Sequence, residues 1–418
     1  MAACAAGIGG ITMNVPHDRF CVLPWISLEA SPIGTVRPCC LADDELQDDS
    51  GEKFSLLTAD FGEIQNSRAM TLLREQFLAG EQPQTCRKCW SEERAGRTSK
   101  RMHTLDRLKH MGITSEWTQD AKPLMFLDLK LGNICNLKCR ICGSWSSSQS
   151  AAEDIAQLPQ DQQKKSHAYT MLRSGAWPRE NTQFWSEIDH HLNDIRYIEF
   201  TGGEPFLIDQ HFDMLQGMVD RGIADQVEIH YNTNGTQYPP RGEKIWRHFR
   251  KVEIAFSIDD VGDRFEYQRS NARWEEVCEN MDRFRDLKEI HANIHLQICA
   301  TVNVFNIRYI DQLAVWLDRN TDSFEFVYWN VMHDAWYFSV ATLPDTAKTA
   351  LTDHLLSAAI PPRWYGEFAR IVDFMNNGAS TDGFMLRMKI RDLDQKRNTN
   401  FARTCPEMAQ LINYEFTG

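Results

Sequence analysis

Apolar and polar residues alternate in six separate stretches of the chain, Leu124–Leu131, Tyr197–Thr201, Val227–Asn232, Val252–Asp259, Ile294–Asn303 and Phe324–Asn330. Alternation of this kind marks a strand with two unlike faces. Helical or loop stretches separate most of the six, an order that predicts a parallel sheet. Parity puts Leu127, Leu129, Ile198, Phe200, Val227, Ile229, Ile254, Phe256, Leu296, Ile298 and Val302 on one face. The other face carries Asp128, Lys130, Glu199, Thr201, Glu228, His230, Asn232, Ser257, Asp259, Gln297, Cys299, Thr301 and Asn303. A closed eight-stranded barrel fills its interior with branched aliphatics. A polar inner face therefore predicts an α/β fold built on an open barrel around a polar ligand and water.

Before the barrel, Arg19 to Cys40 reads as two short strands around a Ser-Pro-Ile-Gly turn. Such a hairpin brings together Cys21 at its start and Cys39–Cys40 at its end, in the spacing C-x12-G-x4-C. A helix is expected from about Asp60 to Leu78, with Phe61, Ile64, Leu72, Leu73 and Phe77 roughly on one face. A second thiol pair follows at Cys86 and Cys89. After the barrel, helices at about Thr346–Ala359 and Arg363–Met375 are expected to cover its open side. The domain plan is a flexible leader over 1–13, a cysteine-bearing module over 14–115, the partial barrel over 120–340 and a helical extension over 341–418.

The net charge of −13 over 418 residues argues against a general nucleic-acid surface. No apolar run approaches the roughly 20 residues of a membrane span. Twelve cysteines, seven of them in tight clusters, point to metal chemistry in a reducing compartment, hence the cytoplasm. From Arg94 to His110 the balance turns basic, with Arg94, Arg97, Lys100, Arg101, Arg107 and Lys109. This is either a solvated helix face or a docking surface for an acidic electron carrier of the flavodoxin or ferredoxin type.

The densest chemistry lies in LGNICNLKCRICGSW, Leu131 to Trp145, where Cys135, Cys139 and Cys142 form C-x3-C-x2-C. Three thiolates on a [4Fe–4S] cluster leave one iron without a protein ligand. Structural zinc usually recruits a fourth ligand nearby, and no further Cys or His lies between Asn133 and His167. The motif resembles the cluster loop of the radical SAM superfamily. That resemblance implies a six-stranded partial barrel and S-adenosylmethionine (SAM) chelated to the open iron. It also implies reductive cleavage of SAM to a 5′-deoxyadenosyl radical.

Further motifs agree with it. Thr201-Gly202-Gly203-Glu204-Pro205, at a strand end about sixty residues past Cys142, resembles the family's GGEP motif, which accepts the SAM ammonium group. By the same resemblance Asn234 and Asp259 lie at SAM-proximal strand ends, Ser257 and Arg269 hold the methionine carboxylate or ribose hydroxyls, and Asn303 lies near the nucleoside. Cys21, Cys39, Cys86 and Cys89 resemble the ligands of a SPASM or twitch auxiliary-cluster module, along with Glu93, Gly96, Ser99 and Arg101. A second [4Fe–4S] cluster is implied, with Cys40 as an alternative to Cys39. The module more often follows the barrel, whereas here it precedes it, and a zinc ribbon is the competing reading. Asp392, Arg397 and Pro406–Glu407 resemble the tail of twitch-containing members.

Cys299 shares lumen parity with Thr301 and Asn303, where a thiol can return hydrogen to a substrate radical; buried cysteines are otherwise inert packing residues. The expected activity is hydrogen abstraction from a substrate C–H bond, leading to oxidative modification or crosslinking of a ribosomal peptide. A dehydrogenase or epimerase acting on a small molecule is the alternative, and a non-catalytic iron–sulfur or zinc protein the reading from another class.

Overall fold

The computed structural model describes residues 15–415 except Ala95, Arg97, Thr321, Asp322 and Asp334. The leader over 1–13 with Cys4, and Arg97 of the basic stretch, lie outside the described residues. Eight strands make one sheet: β1 (Ser27–Ala30), β2 (Val36–Arg37), β3 (Phe126–Lys130), β5 (Tyr197–Thr201), β6 (Glu228–Thr233), β7 (Lys251–Ser257), β9 (Ile294–Val302) and β10 (Phe326–Val331). A two-stranded ribbon pairs β4 (Lys138–Cys139) with β8 (Arg269–Ser270).

The spatial order is β10-β9-β7-β6-β5-β3-β1-β2, parallel throughout except for the β1–β2 hairpin. All six expected barrel strands form and lie side by side. The apolar face predicted by parity is buried, with Leu129, Ile198, Phe200, Ile229, Ile254, Leu296 and Ile298 inaccessible to solvent. The polar face is also largely covered, with Asp128, Glu228, His230, Glu253 and Gln297 buried.

β1 is hydrogen-bonded in parallel to β3, with Leu28 opposite Leu127 and Glu29 opposite Asp128. The hairpin turns where expected, at a Gly34 with φ of +87°, and continues the barrel sheet as a seventh and an eighth strand. Buried Glu29 takes both donors of Arg37 at 2.9 Å and also accepts from Lys130 of β3. The expected helix over 60–78 is two helices, Phe61–Gln65 and Arg68–Leu78. Ser67 breaks it by capping the second, its hydroxyl accepting from the Met70 N–H.

The helices expected to cover the open side form, at Asp345–Ser357 and Tyr365–Asn377, but the second packs elsewhere. Trp329 of β10 stacks edge-on against Trp364 and Phe368, on the outer, apolar parity of the strand. On the lumen parity Phe326, Tyr328 and Asn330 are exposed. The reason lies in β10 itself, whose outward residues Val327, Trp329 and Val331 are the apolar ones and draw the helix.

Candidate active site

The Cys135 loop leaves β3 and is held by the end of β5. The Leu131 N–H donates to Thr201 O at 2.9 Å, Gly203 N–H to Gly132 O at 3.2 Å, and Glu204 N–H to Ile134 O at 2.8 Å. The two backbones approach so closely that a Cβ on Gly203 would stand 2.2 Å from the Ile134 oxygen, and Gly202 needs a φ of +109°. Pro205 opens the short helical turn Pro205–Leu207. Glu204 faces inward: its carboxylate accepts from Thr233 Oγ1 at 2.8 Å, Asn234 N–H at 2.7 Å and Phe206 N–H at 3.2 Å. Burial nevertheless pushes its pKa up to about 7. Glu204 thus pins the end of β5 to the end of β6, leaving the neighbouring backbone free for a ligand.

Cys135 and Cys139 are buried and Cys142 is exposed, all as free thiols. Cys135 Sγ accepts from Leu137 N–H at 3.4 Å and Asn234 Nδ2 at 3.8 Å, while Cys139 Sγ accepts from Arg269 Nη1 at 3.8 Å. Burial raises the Cys135 thiol to about 12. A hydrogen bond from Cys142, aided by Arg269, lowers Cys139 to about 7. Arg269 is fixed by Asp259 at 2.7 Å and by the β4–β8 pairing that sets it opposite Cys139. Among the described residues no three His, Cys, Asp or Glu side chains gather closely enough for a single metal ion. A multi-iron cluster spreads its ligands around a cage, which suits three loop thiols of which Cys135 and Cys139 accept N–H donors.

The remaining predicted residues separate into free and committed ones. Ser257 lies in register with Cys299 and faces the lumen. Buried Thr201 Oγ1 and Gln297 Oε1 have no hydrogen-bond partner. Unmade hydrogen bonds at buried polar atoms are costly, so this wall fits a polar ligand such as SAM or substrate. Asn303 is committed: Nδ2 donates to Thr301 O and Gln268 Oε1, and Oδ1 accepts from Phe305 N–H. Asp259 also accepts from Thr301 N–H at 2.8 Å. Cys299 accepts from Asn330 Nδ2 at 3.1 Å, and burial pushes its pKa up to about 11, so it stays a thiol.

Two residues that sequence reasoning missed lock the loop from behind. Arg140, between the second and third cysteines, donates to Asp394 at 2.9 Å, with both side chains fully buried. Its guanidinium lies 3.6 Å from the Tyr267 ring centroid. Asp394 also accepts from Tyr267, Thr399, Tyr414 and the Phe401 N–H. Arg397 adds a donor to Lys138 O at 2.7 Å and pairs with Glu153 at 2.8 Å. Cys405 is buried with its Sγ on Phe305 O.

The four cysteines of the N-terminal module converge. Cys21, Cys39, Cys86 and Cys89 line one pocket, with about 290 Å³ of space free of protein atoms, together with Trp90 and Arg101. Burial raises Cys21, Cys39 (to about 11) and Cys86, and neighbouring thiols raise each further. Thiols that oppose one another's ionisation this way suit a cationic multi-metal centre. Cys40 instead feels Asp128, Lys100 and Glu199, on the barrel side. Cys39 also lines a second, smaller cavity whose walls include Lys100, Asp128, Tyr197 and Glu199.

Lys100, Arg101 and Arg107 of the basic stretch turn inward, while Arg94 and Lys109 remain exposed. Lys100 bonds Glu199 at 2.6 Å; Arg101 is bidentate to Glu93 and donates to the carbonyls of Asp18 and Phe20; Arg107 pairs with Glu228 at 2.5 Å and Glu253 at 3.3 Å. The cause is on the opposite wall. Register sets Asp128, Glu199, His230, Glu253 and His295 side by side across β3, β5, β6, β7 and β9, and so acidic a row needs cations.

Residues 129–298, from within β3 into β9, match the Radical SAM superfamily. GTP 3′,8-cyclase of Staphylococcus aureus (strain Newman) is 22% identical over 262 residues, 62% of this chain and 70% of that enzyme. Among solved structures, native anSMEcpe with bound AdoMet aligns at 16% identity and a TM-score of 0.36, over 62% of this chain and 64% of that one. Streptococcus suis SuiB bound to S-adenosylmethionine aligns at 14% identity and a TM-score of 0.34, over 70% and 53%. The chain thus spans less than two thirds of either solved chain. Among the described residues no helix is long and apolar enough to cross a membrane.

Proposed function

We propose that this chain is a radical SAM enzyme that carries out a net oxidation of its substrate, with a ribosomal peptide as the substrate class. The observation that supports an oxidative outcome is the second pocket of four thiols, backed against the lumen through the cavity that Cys39 shares with Asp128 and Glu199. Cys135, Cys139 and Cys142 would hold the first [4Fe–4S] cluster, and Cys21, Cys39, Cys86 and Cys89 the second. When bound, the first cluster with SAM on its open iron supplies reductive cleavage of SAM and hydrogen abstraction from a C–H bond. The chain's own residues position these groups. Gly202 and Gly203 present backbone to the SAM amino group, Arg269 and Ser257 face its carboxylate or ribose, and Thr201 and Gln297 offer unpaired polar atoms deeper in the lumen.

A peptide suits the open side, where Phe326, Tyr328 and Asn330 of β10 are exposed along the free edge of the sheet. The lumen cations Lys100, Arg107, Lys130 and Lys251 are each paired with a lumen carboxylate, which suits an uncharged reacting group better than a polyphosphate. A second reading, redox-neutral epimerisation, is favoured by Cys299, a protonated thiol facing the lumen.

Anaerobic reconstitution tests the assignment. The wild type should bind about eight irons per chain, two cubane clusters, and the triple change of Cys135, Cys139 and Cys142 to Ala about four. With a strong reductant and SAM, the wild type should release 5′-deoxyadenosine and Cys139→Ala none. Full iron content in the triple variant, or equal nucleoside release from both proteins, rejects it.

A further inference from the structure

The helix Lys100–His110 carries its first residue to the boundary between the two thiol sites. Ser99 caps that helix, its hydroxyl accepting from Met102 N–H and itself bonded to Glu93, which fixes where Lys100 emerges. The Lys100 ammonium donates to Glu199 Oε2 at 2.6 Å and stands 3.9 Å from Asp128 Oδ2. Those two carboxylates are register neighbours on β5 and β3. Lys100 also lines the small cavity that Cys39 borders, while Cys39 on its other side borders the pocket with Cys21, Cys86 and Cys89. A single ammonium therefore stands on the wall between the lumen and the four-thiol pocket.

Other charges near that pocket are balanced differently. Arg101 lines it, but its guanidinium is bidentate to Glu93. Arg87 and Lys88 pair with Asp43. Lys100 differs in facing two carboxylates and Cys40, all on the lumen side. Loss of its charge removes the nearest ammonium from Glu199 and Asp128, which border the same cavity as Cys39.

Reduction adds one negative charge to a cluster, and cluster potentials respond to net local charge. A fixed cation favours the reduced form, and nearby anions disfavour it. We propose that Lys100 is a positioning residue for electron transfer: held by Glu199 and Asp128, its ammonium raises the reduction potential of the cluster that Cys21, Cys39, Cys86 and Cys89 would hold. This rests on the four-thiol assignment above. In the balanced step, the substrate radical in the lumen loses one electron to that cluster and one proton to a carboxylate. Asp128 Oδ2, buried without a hydrogen-bond partner in the same cavity, is placed to take the proton.

The test uses the full chain with Cys135, Cys139 and Cys142 changed to Ala, so that only the second cluster is present, in a redox titration followed by electron paramagnetic resonance. Lys100→Met should lower the midpoint so that the reduced-to-oxidised ratio at the parent's midpoint falls about tenfold, a shift of about 59 mV for a one-electron couple. Lys100→Arg should restore it, and Glu199→Gln should move it the opposite way. A merely structural role predicts no such ordering by charge at constant iron content. If Lys100→Met fails to hold iron, Glu199→Gln and the double variant Lys100→Met/Glu199→Gln carry the test: the first must lie above the parent and the second below the first. An unchanged midpoint in Glu199→Gln, or shifts of one sign in Lys100→Met and Glu199→Gln, overturns the inference. Absence of any iron in the triple-cysteine background overturns instead the four-thiol assignment, and the role of Lys100 falls with it.

Discussion

Arg140 shows how much of this site depends on a single buried charge. It lies within the cysteine motif, yet its side chain points away from the thiols to Asp394, and neither side chain reaches solvent. Removing one partner of such a pair leaves the other charged and unsolvated, at a cost of about 3–5 kcal/mol. Asp394→Ala should therefore lower the melting temperature markedly and strip iron from the Cys135 loop first. The double change Arg140→Met/Asp394→Leu should recover much of that stability, because it removes both charges at similar volume. Thermal melts with iron counts check both, and a double variant no better than Asp394→Ala would mean that the pair's other hydrogen bonds dominate. The pattern of residues did not disclose Asp394. The helix Phe384–Arg397 carries Asp392 and Asp394 among five basic residues, and only the partners Tyr267, Thr399, Phe401 and Tyr414, distant or beyond its end, single out the buried one.

At the level of elements, parity alone gave all six barrel strands and the division between greasy and polar faces, because a half-buried strand must alternate. The hairpin was also legible, since its Gly34 turn and flanking strands are local. Its pairing to β3 was not, because parallel partners about a hundred residues apart leave no local mark. The inward turn of Lys100 and Arg107 was missed, although a signal existed. Asp128, Glu199 and Glu228 share a face whose own strands supply few cations, so counter-charges had to come from another element. Glu253, on the parity of Ser257, completes that acidic row. The contact between the loop and the end of β5 gives a prediction at this scale. Gly203→Ala puts a methyl 2.2 Å from the Ile134 oxygen, backbone that cannot yield cheaply. SAM affinity should fall at least tenfold by equilibrium binding, while about four irons stay on the other four cysteines. Unaltered SAM binding would show that the loop and strand end can part without consequence.

In the whole molecule, the Cys135 loop follows the C-terminal end of β3 while the cavity that Cys39 borders reaches Phe126 at its start, and the N-terminal module is joined to the barrel by β1, Lys100 and Arg107 rather than by a linker. A fully ligated cluster on Cys21, Cys39, Cys86 and Cys89 would have no open iron, so that site can accept or relay electrons or brace the fold, but cannot chelate SAM. Changing Cys86 and Cys89 to Ala should accordingly preserve 5′-deoxyadenosine release and abolish the oxidised product. Metal binding contributes to the stability of a small module, so circular dichroism and an iron count near four per chain must accompany the assay. The shared sheet makes this variant interpretable, since β1 stays anchored to β3 by backbone hydrogen bonds and by Glu29 with Lys130. Product at the wild-type rate would instead remove the oxidative reading. The reaction would then have to return hydrogen to the substrate, and Cys299, the thiol that the β9 register turns toward Ser257 and the lumen, becomes the donor. In that outcome Cys299→Ala should keep SAM cleavage but stop incorporation of solvent deuterium into product, whereas under the oxidative reading the same substitution should leave product formation within about twofold of wild type, a change of at most about 0.4 kcal/mol in barrier.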